Sequence, residues 1–65
     1  MTNFEQLGYL AARSFLAKSP SLDPAYQIAS AMITNGQDRM KIAKEWYQGY
    51  EHYCDSQAKM IFYQK

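Results

Sequence analysis

Hydrophobic positions recur every three or four residues along most of this 65-residue chain, a spacing typical of amphipathic helices. The first run follows Thr2 and Asn3, and each of these can cap a helix together with the residue three positions later. The predicted helix spans residues 3–18 and ends before Pro20. Gly8 interrupts it at a cost of about 1 kcal/mol relative to alanine. We therefore expect another helix backbone to approach closely at Gly8.

Asp23-Pro24 predicts the start of a second helix, because a capping carboxylate there precedes a proline in the first turn. Its length is limited by Asn35-Gly36, where glycine favours a helix terminus. The helix is predicted over residues 24–35. Its expected buried face consists of Ala25, Ile28, Ala29, Met32 and Ile33.

A third helix is predicted over residues 38–62, with Asp38 as its cap. Its apolar arc is about 160° wide, broader than the stripe of about 100° that a surface helix needs. Gly49 falls on the polar side, where we expect it to permit a bend. The arc contains Met40, Ile42, Ala43, Trp46, Tyr47, Tyr50, Tyr53, Cys54, Ala58, Met60 and Ile61.

These elements predict an all-α fold with one domain over residues 1–65. Two shorter antiparallel helices are expected to pack on the longer C-terminal helix. That helix would be about 37 Å long, and its broad apolar arc exceeds what two short helices cover. A symmetric homodimer is therefore expected, since two-fold assemblies are the commonest way to bury such a surface.

Charge and composition limit the classes of function. Seven basic and six acidic residues give a net charge of +1, which argues against a dedicated DNA-binding protein. An alternative is a small DNA-binding or nucleoid-associated protein that uses Arg39, Lys41 and Lys44. No apolar stretch approaches the roughly 20 residues of a membrane span. The single cysteine and the absence of a signal-peptide pattern predict a cytoplasmic protein.

Candidate catalytic groups are few. His52 and Cys54 are the sole histidine and cysteine, and on a helix they point about 160° apart, too far for a nucleophile–base pair. We expect His52 to be exposed and Cys54 to be a small buried hydrophobic residue. No enzymatic activity, cofactor or metal site is predicted.

The aromatic surface is the main candidate for binding. Trp46, Tyr50 and Tyr53 recur along one edge of the third helix, and Tyr9 and Leu16 form a second stripe on the first. Aromatic residues with polar ends suit partly hydrated boundaries and concentrate binding energy at protein interfaces. These five residues are therefore predicted to contact a protein partner.

Three short motifs recur in the helices of a known family. They are Tyr9 with Ala11-Ala12, Tyr26 with Ala29, and Trp46 with Tyr53-Cys54. In these motifs the chain resembles the ANR family, the small AraC negative regulators of enteric bacteria and their phages. The family often has cysteine directly after the tryptophan and arginine four residues after it. This chain has Tyr47 and Tyr50 at those positions.

The resemblance implies a negative transcriptional regulator of virulence genes. Such a protein binds an AraC-type activator directly and blocks its dimerisation or its DNA binding. Another alternative is a phage or plasmid protein that inhibits a different host machine. Both functions need an adhesive helical surface and no catalysis.

Overall fold

A computed structural model of the chain describes residues 2–63, with side chains described for residues 2–59. Within this part the chain is all-helical and contains no strand, so the predicted fold class is confirmed. The elements are α1 (Asn3–Arg13), a short 3-10 helix (Pro20–Leu22), α2 (Pro24–Ser30) and α3 (Gly36–Tyr63). The predicted apolar roles of Met60 and Ile61 lie outside the described side chains.

Capping and backbone hydrogen bonds define both ends of the first helix. Thr2 is its N-cap, since the Thr2 hydroxyl accepts a bond from the Glu5 backbone N–H at 3.2 Å. The helix ends at Arg13, earlier than predicted, because Phe15 adopts a left-handed backbone conformation with φ of 62°. The Leu16 N–H then returns to the Ala11 carbonyl at 2.9 Å. This is the Schellman arrangement, in which glycine usually occupies the left-handed position.

Replacing Phe15 with glycine is expected to stabilise the fold by about 1 kcal/mol, because a left-handed L-residue costs roughly this much. The phenyl ring is 92% exposed, so little packing is lost. Urea denaturation measures the change in the free energy of unfolding. Phe15→Ala is the control, since it removes the ring and keeps the strained backbone. Equal stabilities of the two variants would contradict this account of the α1 terminus.

The boundary between α2 and α3 differs from the prediction. Asp23 caps α2 as expected, and its Oδ1 accepts a bond from the Ala25 N–H at 3.1 Å. The predicted end at Asn35-Gly36 and the predicted cap Asp38 are wrong. Asn35 Oδ1 instead accepts the Gln37 N–H at 2.8 Å and thereby starts α3 at Gly36. Asparagine is a strong N-cap. The Asn35-Gly36 dipeptide, which was predicted to end α2, therefore begins α3.

The contacts define the directions of the helices. The Thr2 hydroxyl bonds to the Glu45 carboxylate at 3.3 Å, and the Tyr9 ring lies 5.2 Å from the Tyr53 ring. Helix α1 therefore runs in the same sense as α3. Asp23, at the start of α2, contacts Trp46 of α3. Ser30, at the end of α2, contacts Arg39, which comes earlier in α3 than Trp46. Helix α2 is consequently antiparallel to both of the other helices.

Two glycines allow α1 and α3 to cross with their backbones in contact. A Cβ atom on Gly8 would lie 1.8 Å from the Trp46 carbonyl oxygen, and one on Gly49 would lie 1.7 Å from that of Glu5. The close approach expected at Gly8 is therefore present. The expectation for Gly49 is wrong, because Gly49 is buried at the crossing and does not lie on the polar side.

The core lies along this crossing and under α2. Its buried members are Ala11, Tyr26, Ile42 and Trp46, with Phe4, Leu7, Ile33 and Tyr50 packed around them. The Phe4 and Tyr26 rings meet edge to face at 5.7 Å, a favourable aromatic geometry. Burial raises the pKa of the Tyr26 phenol.

Candidate interaction surface

Trp46 lies at the centre of the core and not at the surface. Its side chain is 0% exposed, and its indole Nε1–H donates to Asp23 Oδ2 at 2.9 Å. Asp23 thus uses one carboxylate oxygen to cap α2 and the other to bind the tryptophan of α3. The predicted contact of Trp46 with a partner needs correction, because no surface of this side chain is accessible in the folded chain.

A hydrogen bond between Tyr50 and Leu16 connects α3 to the segment that follows α1. The Tyr50 hydroxyl donates to the Leu16 backbone carbonyl at 2.7 Å. Its ring stacks on Trp46 with centroids 5.3 Å apart. The phenol group that sequence reasoning assigned to a partner therefore has an internal acceptor. The Leu16 side chain remains exposed, and the Tyr50 side chain is half-buried.

Tyr9 and Tyr53 form a half-buried edge-to-face pair between α1 and α3. His52 is exposed, as predicted, and its ring lies 6.2 Å from that of Tyr9. The partner-binding roles of Tyr9, Tyr53, Tyr50 and Leu16 stay predictions. Much of the aromatic surface nevertheless packs within the chain.

Cys54 and the second helix show the largest departures from the predicted burial. Cys54 is exposed, so the prediction of a buried thiol is wrong. The predicted buried face of α2 is also wrong for four of its five residues, since only Ile33 packs against the core. The exposed four are Ala25, Ile28 and Ala29 of α2 and Met32, which lies two residues after its end; we call them together the α2 outer face.

The four side chains of the α2 outer face are exposed, apolar and uncharged. Ile28 is 78% exposed and Met32 is 91% exposed. Residues 24–37 contain no Asp, Glu, Lys, Arg or His. Helix α2 instead turns Tyr26 and Ser30 toward the core. This rotation is set by the bonds of Asp23 and by the edge-to-face contact of Tyr26 with Phe4.

The three basic residues of the alternative DNA-binding function have different surroundings. Arg39 Nη1 donates to the Ile33 carbonyl at 2.7 Å and to the Ser30 carbonyl at 3.4 Å. Its guanidinium thus satisfies carbonyls at the C-terminus of α2, a favourable position for a cation. Lys41 and Lys44 are exposed. Arg39 therefore has a structural role that sequence spacing did not indicate.

No family model, curated protein or solved structure matches the chain. Among the described residues, no group of three His, Cys, Asp or Glu side chains is placed to hold a metal ion. The helices of residues 2–63 also lack any segment with the length and apolar character needed to cross a membrane.

Proposed function

We propose that this protein is a helical binding module that antagonises an AraC-type transcriptional activator by direct contact. The observation that carries the proposal is the α2 outer face, where Ile28 and Met32 are largely exposed. Ala25, Ile28 and Ala29 are apolar at helical spacing on α2, which is the pattern of helices that bind a hydrophobic groove on a partner protein. The activator itself is proposed from the resemblance to the ANR family.

The chemistry of the α2 outer face supports a heterologous partner. A stripe without charge gains its affinity from apolar burial, at about 25 cal/mol per Å². Methionine adds a flexible, polarizable side chain that adapts to irregular grooves. Contact at this surface would compete with dimerisation or DNA binding of the activator. We place this function in the cytoplasm, where transcription takes place and a free thiol such as Cys54 stays reduced.

A binding role without catalysis agrees with the disposition of the reactive groups. Cys54 and His52 are both exposed, and their helical spacing points them to different sides of α3. The structure assigns internal hydrogen bonds to Asp23 and Arg39.

Binding of the purified activator to Ile28→Ser and Met32→Ser variants tests this surface. Each change is expected to weaken affinity about tenfold or more, as for an apolar residue at the centre of an interface. The free energy of unfolding should change by less than about 0.5 kcal/mol, because both side chains are exposed. Isothermal titration calorimetry measures the affinity.

Leu22→Ser is the matched control, because Leu22 is an exposed apolar residue that does not belong to the α2 outer face. It should bind the activator with the affinity of the wild type. Normal affinity of the Ile28 and Met32 variants would remove the α2 outer face from the proposal. Binding lost equally in all three variants would contradict the assignment of this particular surface.

A further inference from the structure

The solvent-facing side of α3 has a second exposed surface, distinct from the α2 outer face. We call it the α3 outer face. Its members are all exposed, and they are Met40, Lys41, Lys44, Tyr47, Gln48, Glu51, Cys54 and Asp55. Seven residues correspond to almost two turns of helix, so residues at this spacing share one face. Three such series run side by side along α3.

The midpoints of the three series all fall between Tyr47 and Gln48, within one residue of one another. Met40 and Cys54 lie seven residues before and after Tyr47, and Lys41 and Asp55 lie seven before and after Gln48. The third series is Lys44 and Glu51, which lie on either side of that centre. Lys44 and Glu51 are therefore equivalent about this midpoint, and within one residue Met40 is the counterpart of Cys54 and Lys41 that of Asp55.

This distribution is the one that a two-fold axis requires. A second copy of α3 that runs antiparallel across Tyr47 and Gln48 brings Lys44 opposite Glu51 of the other copy. It also brings Lys41 close to Asp55 of the other copy. A parallel copy in register would place like charges together, which is unfavourable. In an isologous interface each complementary pair occurs twice.

The ion pairs within the chain leave these groups available. Among the described residues, the one ion pair joins Lys18 Nζ to Glu51 Oε1 at 2.7 Å. Lys41, Lys44 and Asp55 take part in none. The second carboxylate oxygen of Glu51 can still accept a bond, because an ionised carboxylate has acceptor sites on both oxygens. Tyr47 at the centre is 38% exposed and Met40, seven residues away, is 75% exposed, so the face offers apolar area as well.

We propose that the α3 outer face binds a second copy of this chain as an antiparallel helix pair, with the two-fold axis at Tyr47 and Gln48. The proposal does not rest on the activator or on the α2 outer face. The contact surface is one helix face, at the small end of specific interfaces. We therefore expect a reversible dimer with a dissociation constant in the range of about 10–100 µM.

Sedimentation equilibrium of charge-reversal variants tests both the dimer and its register. Lys44→Glu places like charges together at both symmetric contacts, and the dissociation constant should rise about tenfold or more. Glu51→Lys should weaken the dimer similarly. The double variant Lys44→Glu/Glu51→Lys restores both opposite pairs and should return to within about threefold of the wild type.

Lys59→Glu is the matched control, because it makes the same charge change on the same helix. In the proposed register Lys59 lies opposite Gly36 of the other copy, which has no charge. The dissociation constant of the Lys59→Glu dimer should equal that of the wild-type dimer. Circular dichroism confirms that each variant keeps its helix content, as expected for exposed positions.

Several results would overturn the proposal. A wild-type chain that stays monomeric throughout the concentration range would exclude the dimer. A double variant as weak as the single ones would exclude the antiparallel register. A dimer broken by Ile28→Ser and unaffected by Lys44→Glu would place the second copy on the α2 outer face instead.

Discussion

Replacing Gly8 with alanine is expected to unfold most of the domain. The added Cβ would lie 1.8 Å from the Trp46 carbonyl oxygen, which is backbone and cannot rotate away. The two helices would have to separate along the crossing, and the packing of Trp46 and Ala11 would be lost with it. A chain of this size has a net stability of about 3–5 kcal/mol. Overpacking of the core at this crossing would reduce the free energy of unfolding by about 1–3 kcal/mol or more, which leaves little of that net stability.

Gly49→Ala should have a comparable effect, since its Cβ would lie 1.7 Å from the Glu5 carbonyl oxygen. Gly36→Ala is the matched control. A Cβ there meets nothing within 4 Å, and Gly36 has no positive φ. That variant should be slightly stabilised, by up to about 1 kcal/mol, because alanine is the better helix former. Thermal unfolding followed by circular dichroism compares the three, and a cooperative wild-type transition for Gly8→Ala would refute the close crossing.

Replacing Asp23 with alanine is the second change with a large expected effect. It removes the α2 cap, worth about 0.5–2 kcal/mol. It also removes the acceptor of the buried indole N–H, and hydrogen bonds to charged groups contribute about 1.5–3 kcal/mol. We expect the free energy of unfolding to fall by about 2–4 kcal/mol in total. Urea denaturation gives the value.

Two further variants separate these contributions. Asp23→Ser keeps a good N-cap, but its short side chain cannot also reach Trp46, so it isolates the loss of the indole bond. Trp46→Phe removes the indole donor. In that background Asp23→Ala should cost less than in the wild type, and the difference is the coupling energy of the pair. Additive effects of Asp23→Ala and Trp46→Phe would show that the bond contributes no net stability.

The periodicity of the sequence predicts the helices, and it does so because each amphipathic stripe recurs at helical spacing. The residues at which the helices begin and end were harder to predict from the sequence. The left-handed residue after α1 is Phe15, where sequence rules look for glycine. Asn35 satisfies the rules for ending one helix and for beginning another, and the structure uses it for the second.

The rotation of α2 could not be predicted from its pattern. Ala25, Ile28 and Ala29 form a regular apolar stripe, and such a stripe shows which residues lie together without showing what covers them. Tyr26 and Ser30 turn toward the core instead, because Asp23 binds Trp46 and Tyr26 packs on Phe4. These contacts join residues far apart in sequence.

The same reasoning explains the outcome for the predicted partner-binding residues. A tryptophan with two tyrosines on one helix edge indicates groups that need hydrogen-bond acceptors. Trp46 and Tyr50 find theirs in Asp23 and in the Leu16 carbonyl. Asp23 could have been anticipated in part, since a capping carboxylate has a second oxygen. The Leu16 carbonyl could not have been anticipated, because every residue has a backbone carbonyl and the sequence does not show which one lies near Tyr50.

The most direct test of the proposed antagonism is a gel-shift titration. An AraC-type activator from the same organism is bound to its promoter fragment, and wild-type protein or the Ile28→Ser/Met32→Ser double variant is added. We predict that the wild type abolishes the activator–DNA band, gives no shift with DNA alone, and loses this effect in the double variant. An activator–DNA band that persists at saturating wild-type protein would contradict the proposal.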